Sequence, residues 1–505
     1  MRAASLLVLA ALTPAVLAAQ YDPSISSAVE SITAADIAHR VGVLAHDSMR
    51  GRDTPSPELD QTAAYVASEF QRFGLAPGGD DGSFIQRYTV RTVRPDQAKS
   101  VLQVDDEPTW RVGTEVARWR GVTGPKGMSG PTVVVSGVPD APDQLAQLDL
   151  EGAVVIWVVP MALGADLGRE VYRTYVALRR RGPAALVLVT RSSTESFQQR
   201  LRSGLRREQR YGSDPVAPVV EVQDITIGPA LGRHGFDLRT ARRATDAPLQ
   251  VTPLPDLQLT VTLAETVLEE VTGPNTVGIL EGSDPALANE YVVFSAHMDH
   301  VGVGRPVNGD SIYNGADDNA SGTVAIVELA EAFAKMNRRP RRSLIFLTVS
   351  GEEKGLWGSA YFAESPPVPM EQIVADLNAD MVGRNWKDTI SVIGKEHSDL
   401  GATLHRVAAE HPELHMTPVD DLWPTENFYF RSDHIHFARR GVPILFFFNG
   451  THDDYHRPGD ETEKIDAEKQ SRITKLMFYL GLEVANADER PRWDPESYRQ
   501  IVEQQ

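Results

Sequence analysis

The chain has 505 residues, 42% hydrophobic and 24% charged, which suits one large globular domain with a smaller companion and excludes disorder as the main state. A formal net charge of −19 argues against a polyanionic partner such as nucleic acid, whose affinity comes from basic patches. With no cysteine, a disulfide framework and thiolate metal sites are both ruled out.

The first residues, MRAASLLVLAALTPAVLAAQ, join a basic start, a short apolar core and a small-residue end. They read as a secretory signal cleaved after Ala18, with Val16 and Ala18 at the small positions. An exported protein, periplasmic or secreted, is therefore expected. No later stretch approaches ~18 consecutive apolar residues, so no stable membrane span is expected after signal cleavage.

Residues 33–75 read as helical. Ser56-Pro57 offers a capping hydroxyl and a proline for the first turn. Ala63, Val66, Ala67, Phe70 and Phe73 then recur at helical spacing, and Gly74 with Pro77 ends the run. Between 111 and 255 the pattern changes to short apolar strands, PTVVVSG (131–137), AVVIWVV (153–159) and AALVLVT (184–190), with one arginine-rich helix, VYRTYVALRRRG. No catalytic spacing occurs there, and the segment is expected to be a small mixed domain. The expected boundaries are a signal at 1–18, the N-terminal part of the main domain at 19–110, the insert at 111–255, the main domain at 256–490 and a tail at 491–505.

From 256 on, apolar strands alternate with helices. YVVFSA (291–296), SLIFLTV (343–349), IVADLNA (373–379) and PILFFF (443–448) read as buried strands, and GTVAIVELAEAFAKM (322–336) as a helix apolar nearly all round. Continuous apolar strands joined by helices predict an α/β fold: a three-layer domain whose mixed, largely parallel sheet is flanked by helices on both faces. Sites in such sheets form beyond the carboxyl ends of the strands.

Each of those strand ends carries His, Asp or Glu. HMDH follows the first, SGEE the second, Asp380 the third and NGTHDDYH the fourth, while NGADDNASG precedes the buried helix. Imidazoles with several carboxylates and no sulfur suit zinc or a similar divalent ion, manganese and cobalt included. One ligand per loop gives His297, Asp317, one Glu, Asp380 and a late His. That set is generous for one tetrahedral ion and suits two ions sharing a bridging carboxylate. The adjacent Glu352 and Glu353 then divide their roles: Glu353 binds metal, which offsets their mutual repulsion, and Glu352 stays free as a general base.

In order, SAHMDH, NGADDNASGTVAIVELA, SGEEKGLWGSAYF, LNADMVGR, RSDHIHFARRGVP and DYHRPGDETEKID resemble the motifs of the co-catalytic dizinc exopeptidases, which include the bacterial leucyl-type aminopeptidases and glutamate carboxypeptidase. The resemblance covers about 285–466. LAHDSMRGRDTPSPELDQTAAYVASEFQRFGLAP looks like the N-terminal part of the same domain, and the 111–255 segment like an inserted protease-associated domain.

The resemblance implies two zinc ions. Asp317 bridges them, with a cis peptide bond to Asp318. Glu353 and His456 complete one site, and His297 and Asp380 the other. Asp299 orients His297, and Glu352 is the base. Tyr455 stabilises the oxyanion, Tyr429 being the other candidate. His300, His434, His436 and His452 take structural or supporting roles, as does Asp433. The implied function is an exported zinc-dependent aminopeptidase acting on peptides. The alternatives are a carboxypeptidase, for which Arg384 is the one cationic candidate near a motif, a one-zinc glutaminyl cyclase, and a non-catalytic ectodomain.

Overall fold

The computed structural model describes residues 23–105, 110–138, 144–145, 147–160, 169–212, 216–243 and 248–503. The expected signal at 1–18 lies outside the described residues. The chain divides into two compact units, one built from residues up to Arg87 together with Pro274–Gln504, the other from Tyr88–Gly273.

In the larger unit a helix over Pro23–Glu30 precedes α1 (Ala34–Leu44) and α2 (Pro57–Phe73). The Ser56 hydroxyl accepts from the Leu59 backbone N–H at the start of α2, and Gly74 ends the helix at φ 79°. That left-handed turn is one glycine adopts without strain. The sheet follows: β1 (Glu265–Leu280, of which Pro274–Leu280 lie in this unit), β2 (Tyr291–His297), β3 (Ser343–Val349), β4 (Ile373–Asp380), β5 (Thr389–Ile393), β6 (Thr417–Val419) and β7 (Ile444–Phe448). Their spatial order is β1-β3-β2-β4-β7-β5-β6. The central strands β3, β2, β4 and β7 run parallel, while β1 pairs antiparallel with β3, β5 antiparallel with β7, and β6 parallel with β5.

Side chains alternate between the two faces, as the strand period of two requires. Val292, Phe294 and Ala296 of β2, Phe346 of β3, Leu377 of β4 and Phe447 of β7 pack into one core with α1, α2, α3 (Gly322–Ala334) and α4 (Ala467–Asn486). Val293, Ile345, Leu347, Ile444 and Phe446 point into a second core with Phe362, Ile435 and Phe437. Both faces being covered explains why these strands read as unbroken apolar runs rather than alternating ones. Register brings the ends of the parallel strands level: His297 lies opposite Val349, and Asp380 opposite Phe448.

The smaller unit carries a sheet in the order 250–253, 132–136, 154–158, 185–190, 216–223, 116–122, with its four middle strands parallel. It also has a second sheet in which Val101–Val104 pairs with Leu259–Thr262. That pairing carries the unit's edges outside 111–255. At the other end, the segment expected as a tail is bound to the larger unit. Trp493 donates its indole N–H to the Gly441 carbonyl, and Asp494 donates its backbone N–H to the His397 carbonyl.

Candidate metal centre

The rim beyond β2, β3, β4 and β7 brings the acidic and imidazole side chains together in two groups. One is His297, Asp318 and Asp380; the other is His300, Asp318, Glu353 and His456. Asp318 belongs to both. Its Oδ1 lies 3.4 Å from His297 Nε2, and its Oδ2 lies 3.2 Å from His456 Nε2. Asp380 Oδ1 is 3.5 Å from His297 Nε2, and Glu353 Oε2 is 3.0 Å from His456 Nε2. Four of the five residues expected as ligands, His297, Glu353, Asp380 and His456, therefore converge.

The fifth, Asp317, does not. Its Oδ1 accepts from the Gly383 backbone N–H at 2.6 Å, and its own N–H donates to the Asp460 carboxylate. Asp318, not Asp317, is the carboxylate shared by the two donor groups, and the cis bond is Asp318–Asn319, not Asp317–Asp318. The cause is local. The irregular turn Ala316–Ser321 holds Asp318 at φ −105°, ψ 93°, an extended conformation that sends neighbouring side chains to opposite sides. Asp317 consequently braces the loop beneath the centre while Asp318 faces it.

The environment is dense in negative charge. Burial works against a charged His456, but its contacts with Asp318 and Glu353 outweigh this and push its pKa up to about 10. Burial likewise opposes a charged His297, and Asp380 and Glu352 override it, raising that pKa well above the ordinary value. A site that pulls protons onto its imidazoles this strongly calls for positive charge. Asp380 Oδ1, Glu353 Oε1 and both ring nitrogens of His300 are buried without a hydrogen-bond partner among the described residues. Donors around a tetrahedral zinc, at ~2.0–2.1 Å from it, sit roughly 3.3 Å from one another, close to the separations found here. The residues present fit divalent ions in both groups.

Around the donors, His297 Nδ1 hydrogen-bonds the backbone carbonyl of Asp299 at 3.1 Å, while the Asp299 carboxylate lies 3.7 Å away. Asp299 thus orients the imidazole through its main chain. Its carboxylate takes the Thr54 hydroxyl at 2.9 Å and the Glu352 N–H at 3.3 Å. The Ser432 hydroxyl donates to Asp380 Oδ2 at 3.0 Å and leaves Oδ1 turned to the centre.

A cavity at the centre is lined by His297, Asp318, Glu352, Asp380, Phe448 and Tyr455. Burial and the surrounding carboxylates, Asp433 and Glu353 foremost, hold the Glu352 carboxyl well above the usual range against the pull of His297. Tyr455 stacks on His456 with ring centroids 3.9 Å apart. Tyr429 lies elsewhere, against His397 and beside a different cavity with Lys395 and His405.

His434 Nε2 donates to the Tyr429 carbonyl at 2.8 Å, and burial lowers the His434 pKa to about 3. His436 belongs to neither donor group. His452 is buried 3.3 Å from Asp317 Oδ2. Asp433 is buried near Ser359. Arg384 pairs with Asp454 at 3.1 Å and faces Asp460 at 3.7 Å.

Two contributors lie far upstream and lack any motif spacing. Arg52, fully buried, donates to the carbonyls of Leu44, Met298, Asn314 and Gly315, tying the loop after His297 to the loop before Asp318. Thr54, besides holding Asp299, accepts from the Gly351 N–H beside Glu352. The only sequence signal for either is that both fall in the upstream segment resembling the start of the peptidase domain.

Comparison with known proteins locates this centre in a family: the model of peptidase family M28 matches residues 275–481. This segment is similar to that family. A probable zinc metalloprotease of Pyrenophora teres is 27% identical over 263 residues, 44% of this chain and 53% of the relative. A probable leucine aminopeptidase of Arthroderma benhamiae is 28% identical over 211 residues, 40% of this chain and 56% of the relative. The chain thus spans about half the length of the curated relatives it matches. An aminopeptidase from Aneurinibacillus sp. strain AM-1 aligns over 93% of this chain and 98% of its own, at 18% identity and a TM-score of 0.48. Every residue of the two donor groups lies inside the M28 segment, whereas Arg52 and Thr54 lie before it.

Proposed function

We propose that the protein is a zinc-dependent exopeptidase of the M28 family, exported from the cell, that releases amino-terminal residues from peptides. The observation that carries this reading is the pair of donor groups sharing Asp318 beside a carboxylate, Glu352, that belongs to neither. His297, Asp318 and Asp380 would hold one divalent ion, and Asp318, Glu353 and His456 the other. Bound there, such ions supply Lewis acidity to a scissile carbonyl and make a water easier to deprotonate.

The remaining work falls to the chain. Glu352 takes the proton of the attacking water and returns it to the leaving amine, the two halves of general acid–base catalysis. Its N–H, held by Asp299 through the Thr54 network, fixes where that carboxylate starts. The Tyr455 hydroxyl, kept neutral by burial and nearby carboxylates, is suited to donate a hydrogen bond to the developing oxyanion. The smaller unit is read as the protease-associated-like insert, its run of parallel strands supporting that assignment. Export rests on residues 1–18, and the mature protein is expected to begin at Ala19, which amino-terminal sequencing of secreted or periplasmic material checks.

Release of p-nitroaniline from amino-acid anilides, with and without chelator, tests the activity. Zinc-restored protein that hydrolyses no amino-acyl or peptidyl substrate refutes it. Glu352→Gln is expected to lower turnover by roughly two to four orders of magnitude, the usual worth of a positioned base, while retaining its metal. One bound ion per chain in elemental analysis would favour the glutaminyl cyclase reading instead.

A further inference from the structure

Resting on the proposed two-ion site, we infer that His300 is a direct metal ligand, so that the two ion positions are unequal: one held by four protein donors, the other by three. The donors in the first are His300, Asp318, Glu353 and His456; in the second, His297, Asp318 and Asp380.

His300 is fully buried, and its Nδ1 lies 2.9 Å from Glu353 Oε1 and 3.7 Å from Asp318 Oδ2. The bland explanation is a hydrogen bond between His300 and Glu353. The alignment speaks against it, because neither Nδ1 nor Oε1 makes a hydrogen bond despite the short distance. A close approach without hydrogen-bond alignment is the arrangement of two atoms that bind one cation together. His456 completes the arrangement, with Nε2 3.0 Å from Glu353 Oε2 and 3.2 Å from Asp318 Oδ2.

The backbone fixes the imidazole in place. The His300 N–H donates to the Arg52 carbonyl at 3.3 Å. Gly315, at φ 59°, passes so close that a Cβ there would lie 2.5 Å from the imidazole Cγ. The ring is therefore confined against the two carboxylates.

Four protein donors fill a tetrahedral shell, the pattern of tightly held zinc, whereas three leave a position for an outside ligand. An ion held by His297, Asp318 and Asp380 would thus be the exchangeable one, with a position open to an outside ligand. An ion held between His300 and His456 would be the retained one.

The test is zinc competition titration of the full-length protein against a fluorescent chelator, with elemental analysis. Wild type should bind two ions in separate steps. His300→Ala should weaken the tighter step at least about tenfold and leave the other within about twofold. His297→Ala should do the reverse. Circular dichroism of the metal-free variants confirms folding. Should His300→Ala not fold, histidine ¹⁵N shifts of the wild type on zinc loading give the same answer: three metal-shifted imidazoles are expected, and two would overturn the assignment. A His300→Ala titration matching wild type would also overturn it. Peptide hydrolysis is scored separately, so a protein that binds metal through three imidazoles yet cleaves nothing refutes the peptidase reading and not this one.

Discussion

Asp317 and Asp318 are neighbours with the same side chain, and one backbone turn gives them opposite work. Asp318 reaches both donor groups, so Asp318→Asn is expected to weaken both ion positions by roughly tenfold or more. Asp317 accepts one backbone N–H, a task the amide oxygen of asparagine also performs. Asp317→Asn should therefore keep two ions per chain, as elemental analysis would record.

Asp376 illustrates a different residue-scale effect. It is fully buried in β4, takes the Ser295 hydroxyl at 2.7 Å, and burial pushes its pKa up to about 8. The folded state keeps a proton that the unfolded chain releases near its ordinary pKa of ~3.9. The stability this contributes is full below that ordinary value and is lost as pH rises through about 8. Unfolding free energies from urea titrations should fall between about pH 6 and pH 9 by on the order of 2 kcal/mol more in wild type than in Asp376→Asn.

At the scale of elements, much of the architecture could be read from pattern. The period of α2 and its cap at Ser56 are explicit, and Ser56→Ala should cost about 1 kcal/mol in chemical denaturation without changing metal content. Buried strands were legible because both faces of the sheet are covered. Their ends were legible because several apolar runs, and not one alone, stop at His, Asp or Glu. Loops were harder. Nothing in the spacing separates Asp317 from Asp318, since only the actual φ and ψ decide which one faces inward. His300, three residues beyond His297 on an irregular loop, carries no periodic signal. Arg52 and Thr54 act on residues 245 or more positions away, a relation made by tertiary packing alone.

For the whole molecule, the concentration of carboxylates at one rim ties stability to cation binding. Any ion that binds the native state and not the unfolded one stabilises by mass action, about 4 kcal/mol at a thousandfold excess over its dissociation constant. Chelator treatment is therefore expected to lower the thermal midpoint of the full-length protein, and added zinc to restore it. A midpoint indifferent to both would contradict this.

The clamp at Arg52 also bears on what can be cut away. Residues 275–481 contain every donor atom, yet the two loops that aim His297 and Asp318 are stitched by a guanidinium lying more than two hundred positions upstream. A fragment beginning at Pro274 would keep the whole inventory of ligands and lose the brace that sets their spacing. Heritable change in metal preference or activity is accordingly open to mutation at a position that never touches an ion.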